Sequence, residues 1–93
     1  MKAANVDNVQ PEIVKALRAI GASVQVLSSV GRGVPDLLVG WRKKTFLLEC
    51  KTGNGQLNTV QREWHAKWAG HVAVVRTPEE AQRAVIEAEG GRG

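Results

Sequence analysis

Cysteine is nearly absent from the 93-residue sequence, and long apolar runs are missing altogether. The single cysteine, Cys50, excludes a disulfide within the chain and leaves no second thiolate for a structural zinc site. No apolar stretch approaches the roughly 20 residues that a transmembrane helix needs, and the N-terminus lacks the apolar region of a signal peptide. The sequence therefore predicts a cytosolic protein with no membrane partner.

Acidic residues are outnumbered by basic ones, nine against thirteen, which gives a formal charge of +4. Three of the basic residues are consecutive at positions 42–44. An excess of this size favours an anionic partner only weakly, because many proteins that bind no anion carry a similar one.

The length and the apolar content bound the domain organisation. Apolar residues make up 43% of the chain, which is typical of a folded protein. A chain of 93 residues holds one hydrophobic core. We expect a single domain over residues 1–93, with its core at about 8–88 and a disordered tail at 90–93.

Two strand-like runs in the middle of the chain, Gly33–Gly40 and Thr45–Lys51, predict an antiparallel hairpin. A two-residue turn at 42–43, or a four-residue loop with the same centre, places Asp36 opposite Glu49. Directly opposed side chains have Cβ atoms roughly 4.5–5.5 Å apart, where like charges destabilise a sheet. The pair is therefore expected either to keep one proton or to bind a cation between its carboxylates.

Side chains alternate along the second strand of the hairpin, so Lys51 emerges on the same face as Glu49, while Cys50 points away into the core. We expect a polar cluster of Asp36, Glu49 and Lys51 at one end of an apolar hairpin. A metal site is one interpretation of this cluster. The other is a structural ion pair between Lys51 and Glu49 within a basic binding module that has no catalytic activity.

Spacing along the rest of the chain places helices and strands around the hairpin. We expect helices over about 8–20, 57–69 and 77–88, and strands over 23–28 and 71–76. The resulting order is helix, three strands, helix, strand, helix. This order predicts an α/β domain with a mixed β-sheet flanked by helices.

Three polar residues outside the hairpin have two interpretations each. Glu12 is either a solvated residue of the first helical turn or a side chain that reaches the carboxylates from the margin of the apolar stripe. The glycines on both sides of Arg32 either make a turn or let the backbone approach a phosphate, with Arg32 placed to contact it. His65 is either a structural histidine or part of the polar cluster.

The helix predicted over about 57–69 carries Gln61 and His65 on the same face as Trp64 and Trp68. We expect both tryptophans in the core. A polar pair inside an aromatic stripe must be hydrogen-bonded where it is buried. A helix laid across the hairpin would bring Gln61 and His65 near the carboxylates.

Pro35-Asp36, twelve intervening residues and then Glu49-Cys50-Lys51 resemble the signature of the PD-(D/E)XK nuclease superfamily. The segments Gly33-Val-Pro-Asp-Leu-Leu-Val, Leu48-Glu-Cys-Lys-Thr and Gln61-Arg-Glu-Trp-His65 more narrowly resemble the virus-type replication-repair nuclease family, VRR-Nuc. The resemblance runs from about Glu12 to the end of the chain. It implies the αβββαβ core of these nucleases, followed here by a last helix.

The resemblance implies a divalent-metal-dependent phosphodiesterase. Oxygen ligands suit Mg²⁺ or Mn²⁺, so Asp36, Glu49 and the backbone carbonyl of Cys50 are the expected metal ligands. Lys51 is expected to align or deprotonate the attacking water. The resemblance adds Glu12 as an outer or second-metal ligand and assigns Gln61 to positioning water, phosphate or the lysine. The candidate nucleic-acid backbone contacts are Arg32, Arg42, Lys43 and Lys44.

Small stand-alone phage-type members of this family resemble structure-selective endonucleases that act as homodimers on four-way junctions. The resemblance therefore implies branched DNA as partner, a homodimer, and the cytosol of a bacterial host if the chain is phage-encoded. Flaps and linear duplexes are alternative substrates. A hydrolase acting on a small phosphoester is a further alternative.

Overall fold

A computed structural model describes residues 8–91 of the chain. The described part contains three helices and four strands. In chain order they are α1 (Gln10–Ala19), β1 (Ser23–Val26), β2 (Leu37–Trp41), β3 (Lys44–Cys50), α2 (Thr59–Lys67), β4 (Val72–Val75) and α3 (Pro78–Gly91). The predicted αβββαβα order is confirmed.

The four strands form one mixed sheet in the order β1-β2-β3-β4. β1 pairs antiparallel with β2, β2 pairs antiparallel with β3, and β3 pairs parallel with β4. Two parallel neighbours need a crossover connection, and α2 supplies it between β3 and β4. The sheet therefore has the mixed topology that the sequence predicts.

A two-residue turn joins β2 to β3. Trp41 pairs with Lys44, and the two residues between them, Arg42 and Lys43, have left-handed backbones with φ of 52° and 70°. Such a conformation costs a residue with a Cβ roughly 1–2 kcal/mol. Contacts hold the turn: the Arg42 guanidinium lies 4.6 Å from the centre of the Trp41 ring, and Trp41 Nε1 donates to the carbonyl of Ile20 at 3.2 Å.

The hydrophobic core lies between one face of the sheet and the two helices α1 and α3. Leu37 and Val39 of β2 point into it and are fully buried. Ile13 on α1 and Val85 on α3 contribute from the helical side and are equally buried. Because side chains alternate along β2, Leu38 faces the opposite side of the sheet, where it is exposed.

α2 lies on that opposite side and contributes no buried residue. The prediction that both tryptophans are core residues is wrong: the exposed fraction of Trp68 is 44%, and Trp64 is half-buried and lies outside the hydrophobic core. The two rings stack on each other with their centres 4.8 Å apart. The helix ends at Lys67, two residues before the predicted end, so Trp68 leaves the helical stripe in an extended conformation.

The other helix ends differ from the sequence-based bounds by a few residues. α3 continues three residues beyond the predicted end at 88 and includes Gly90 and Gly91. The remaining residues of the predicted disordered tail, 92–93, lie outside the described residues. None of the helices within residues 8–91 is both long and apolar enough to span a membrane.

Candidate active site

The hairpin brings Asp36 and Glu49 together at the end of β2 and β3 that is remote from the turn. Leu37 pairs with Leu48, so the residues one step further along each strand, Asp36 and Glu49, lie side by side as the sequence predicts. Glu49 is almost completely buried, with 3% of its surface exposed. Asp36 is half-buried, and its Oδ2 accepts a hydrogen bond of 2.8 Å from the backbone N–H of Cys50.

Glu49 has one partnered and one unpartnered carboxylate oxygen. Oε2 accepts a hydrogen bond of 3.2 Å from Gln61 Nε2 and lies 3.8 Å from Lys51 Nζ. Oε1 is buried and has no hydrogen-bond partner in the described structure. A buried polar atom without a partner is costly, on the order of 1–3 kcal/mol. Glu49 Oε1 is therefore the atom of the cluster that has an open position for a ligand.

Burial raises the pKa of Glu49 to about 7, and the negative charge of Asp36 adds to the rise, while Lys51 acts in the opposite direction. The pair thus favours the state with one proton when no cation lies between the carboxylates. Burial, together with the charges of Asp36 and Glu49, also raises the pKa of the Cys50 thiol to about 12. Cys50 packs against the core as predicted, and its thiol is unsuited to be a nucleophile.

Lys51 is half-buried beside the loop at 53–55, which hydrogen bonds from Arg76 hold in place. A Cβ added to Gly55 would lie 3.7 Å from Lys51 Cδ, so the loop covers the aliphatic stem of the lysine. Arg76 Nη1 donates hydrogen bonds to the carbonyls of Gly53 and Gly55, at 2.7 and 2.8 Å. Arg76 could not be identified from the sequence, because its link to a loop more than 20 residues earlier leaves no periodic pattern.

Gln61 is part of a capping box at the start of α2. Its backbone N–H donates to Asn58 Oδ1 at 2.8 Å, and its Oε1 accepts from the backbone N–H of Asn58 at 2.9 Å. Because Oε1 is occupied, the amide is oriented with Nε2 toward Glu49. The structure thus places Gln61 against a carboxylate. The spacing of Asn58 and Gln61 is the sequence signal that would have identified the cap.

A hydroxyl links Asp36 to α1. Ser28 Oγ lies 3.3 Å from Asp36 Oδ1 and 3.2 Å from Gln10 Oε1, and its single proton can be donated to either oxygen. The family resemblance implies Glu12 as the contribution of this helix to the site, but Glu12 is exposed, as expected for a solvated residue of the first turn. Within residues 8–91, no three His, Cys, Asp or Glu side chains are close enough to share a metal ion.

The predicted nucleic-acid contacts lie in two separate places. Arg32 is exposed and left-handed (φ 59°) between Gly31 and Gly33, in the loop that leads to Asp36. A Cβ on Gly33 would lie 2.7 Å from the carbonyl oxygen of Val60, so this loop contacts the first turn of α2. The basic hairpin tip (Arg42, Lys43 and Lys44) lies at the opposite end of the hairpin from the carboxylates.

His65 is half-buried on α2, and burial lowers its pKa. Its Nε2 is buried without a hydrogen-bond partner among the described residues, and its ring contacts that of Trp64 edge-on, with the centres 6.3 Å apart.

Comparison with known proteins agrees with this geometry. No family model matches the sequence, and no curated protein is found to be similar to it. A solved structure described as a VRR_NUC domain matches 84% of this chain and 90% of its own, with a TM-score of 0.69 and 28% sequence identity. The chain has the fold of a VRR_NUC domain.

The structural match confirms the resemblance drawn from the sequence and indicates a nuclease-type domain. In this VRR_NUC fold the hairpin places Asp36 and Glu49 side by side, and Lys51 follows on the same strand face. Two carboxylates and one lysine thus converge where the PD-(D/E)XK signature predicts them. Ser28, Gln10, Asn58 and Arg76 surround them and support the arrangement.

Proposed function

We propose that the chain is a divalent-metal-dependent nuclease that hydrolyses phosphodiester bonds of DNA. The observation that carries the proposal is the buried, unpartnered Oε1 of Glu49 beside the Asp36 carboxylate. The Lys51–Glu49 ion pair engages only Oε2, so it does not account for the buried Oε1, whereas a cation between the two carboxylates would bind this oxygen and replace the proton that the metal-free pair retains.

The donor atoms present fit Mg²⁺ or Mn²⁺. Asp36 and Glu49 offer carboxylate oxygens, and the carbonyl of Cys50, which lies between Glu49 and Lys51 in the chain, offers a third oxygen. Mg²⁺ is commonly held by one or two carboxylates together with waters and substrate phosphates, so a third acidic side chain is not required. A bound ion would polarise the phosphate and lower the pKa of a coordinated water.

The side chains of this chain would then act as follows. Glu49 would give up the proton that the metal-free pair retains, and its unpartnered Oε1 would be available to hold the ion. Gln61 keeps Glu49 oriented through Oε2. Lys51, with Nζ at 3.8 Å from the same oxygen, orients the attacking water and offsets the negative charge that develops on the phosphate.

Cleavage of labelled DNA tests the proposal. Wild type and Lys51→Ala are incubated with a four-way junction, a flap and a linear duplex in Mg²⁺, in Mn²⁺ and in EDTA. Lys15→Ala removes an exposed lysine from α1 and serves as the matched control. We expect metal-dependent cleavage that Lys51→Ala abolishes and Lys15→Ala retains. Equal cleavage by Lys51→Ala and wild type would refute the mechanism, and DNA binding without cleavage would favour a binding module.

Four-way junctions and a homodimer are the finer part of the proposal. A two-fold dimer presents two sites to two strands, which suits symmetric cleavage of a junction. Trp68 and Ile86 are large apolar side chains left exposed, at 44% and 45% of their surface, and they are our candidates for the interface. Light scattering on wild type, Trp68→Ser and Ile86→Ser tests this assignment. A monomeric wild type that cleaves linear duplex as fast as a junction would contradict it.

A further inference from the structure

The face of the sheet opposite α1 and α3 carries a shallow groove over β1 and β2. Ser23 pairs with Gly40, and Gly40 pairs with Thr45, so these residues share one face. With Gln25 they line a groove of about 270 Å³. The β1–β2 groove, as we name it, is also lined by Val24, Leu38 and Val39, so it combines uncharged polar and apolar surface.

This groove continues into a second depression at the hairpin tip. Ser23, Gly40 and Thr45 line both, and the second, of about 430 Å³, is bounded by Arg42, Lys43 and Lys44. Within the described part of the chain, neither depression has an aspartate or a glutamate among its lining residues. A continuous surface with cations at one end, and with no acid among the described residues that line it, is complementary to an extended polyanion.

The other end of the same face leads to the carboxylates. Gly40 and Leu38 of β2, and Asp36 just before that strand, project from the face that carries the groove, and Leu38 is exposed there, whereas Leu47 and Glu49 of β3 are buried. A polyanion lying on the basic hairpin tip and along the β1–β2 groove thus arrives at Glu49 and Asp36. A small anion bound at the tip would contact only the tip, whereas an extended polyanion would also contact the groove.

We propose that the basic hairpin tip is a second phosphate-binding point and that bound DNA runs from it along the β1–β2 groove to the carboxylates. The inference rests on the proposed nuclease function and adds a direction and a length to its substrate. Arg42 follows Asp36 by six positions, which at about 3.3 Å per strand residue spans about 20 Å. DNA advances about 3.4 Å per base pair, so the tip contacts phosphates about six base pairs from the cleaved bond.

The inference is tested without cleavage by measuring DNA binding of the full chain in EDTA. The anisotropy of a labelled duplex reports binding over a range of salt concentrations. The variant is the double substitution Lys43→Gly and Lys44→Gln, in which glycine adopts the left-handed backbone at 43 freely. The matched control, Lys15→Gln with Arg83→Gln, removes two charges from exposed positions on α1 and α3. Both proteins lose the same net charge.

We expect the tip variant to bind about tenfold more weakly and the slope of log affinity against log salt to fall by about 1.8, that is about 0.9 for each lost phosphate contact. The control should keep the wild-type slope. Equal slopes for the two double variants would overturn the inference, as would a changed oligomeric state of the tip variant with unchanged DNA affinity, because a second copy would then occupy the face.

Trimming the duplex tests the length. Wild-type cleavage sites in Mg²⁺ or Mn²⁺ are mapped first, which shows separately whether the proposed nuclease function holds. The duplex is then shortened on either side of the cut, and binding is measured in EDTA. We expect wild-type affinity to drop when one arm becomes shorter than about six base pairs, and the tip variant to be insensitive to that arm. The same arm dependence in both proteins would refute the proposed path.

Discussion

Gln61 Nε2 donates a hydrogen bond of 3.2 Å to Glu49 Oε2, and this single contact joins the first turn of α2 to the carboxylate pair. The same side chain closes the capping box with Asn58. Helix capping and carboxylate orientation therefore depend on one amide, which suggests how each of its two contacts can be removed separately.

Gln61→Glu should separate the two roles of this side chain. Glutamate is as suitable as glutamine at this position of a capping box, so the helix keeps its cap. The new carboxylate cannot donate to Glu49 and repels it. We expect this repulsion, rather than loss of the cap, to lower the midpoint of thermal unfolding, and the cleavage rate to fall about 10–100-fold, as is typical for residues that orient a metal ligand. Normal cleavage by Gln61→Glu would show that Gln61 does not orient Glu49.

The metal-free protein should lose stability as the pH rises from about 4.5 to about 7. The folded state raises the pKa of Glu49 from about 4.5 to about 7, so its stabilising contribution is complete at low pH, where both states hold the proton. It disappears as the unfolded state ionises first. We expect the free energy of unfolding of wild type, measured in EDTA and relative to Glu49→Gln, to fall across this range.

Adding Mn²⁺ at pH 8 should restore the stability of wild type and leave Glu49→Gln nearly unchanged, because a ligand stabilises only the state that binds it. Glu63→Gln controls for the loss of one exposed carboxylate. Equal stabilisation of Glu49→Gln and wild type by the metal would contradict the assignment of Glu49 as a ligand.

Arg76→Met should loosen the loop that covers Lys51. Methionine keeps the apolar stem of the side chain but loses the two hydrogen bonds to the carbonyls of Gly53 and Gly55. We expect the free energy of unfolding, measured with denaturant, to fall by about 1–3 kcal/mol and the cleavage rate to fall with it. Arg83→Met, at an exposed position of α3, is the control. An Arg76→Met protein with unchanged stability would show that these two bonds do not hold the loop.

Ser28→Ala and Glu12→Gln together test how the first helix supports the site. Ser28 connects Asp36 to Gln10, whereas Glu12 is exposed. We expect Ser28→Ala to reduce the cleavage rate several-fold and Glu12→Gln to leave it within about twofold, as is usual for a surface substitution. A loss of more than tenfold in Glu12→Gln would favour the outer metal ligand that the family resemblance implies.

The carboxylate pair was predictable because the register of a hairpin follows from the centre of its turn. Once the two apolar runs are recognised, Asp36 and Glu49 are opposed whether the loop has two residues or four. The element order was predictable for a similar reason, since hydrophobic periodicity and the glycines and prolines between segments mark each helix and strand locally.

The surroundings of the pair were not predictable, because they depend on contacts between distant loops. Ser28 and Arg76 act through hydrogen bonds across 8 and more than 20 residues, which no periodicity marks. The exposure of Trp68 followed from the early end of α2, and helix ends are the least certain feature of a sequence pattern. The sequence left open whether the turn has two residues or four; the structure has two, although both carry a Cβ and lie in the left-handed region.

α2, which contributes no buried residue, sets how long the complete site persists. Segments with few buried apolar contacts open locally at a lower free energy than the core, and amide hydrogen exchange measures this opening. Amides of α2 should therefore exchange faster than those of β2 and β3. Each opening of α2 separates Gln61 from Glu49 and admits water to the carboxylates. The pairing of β2 with β3 keeps Asp36 and Glu49 side by side during such an opening.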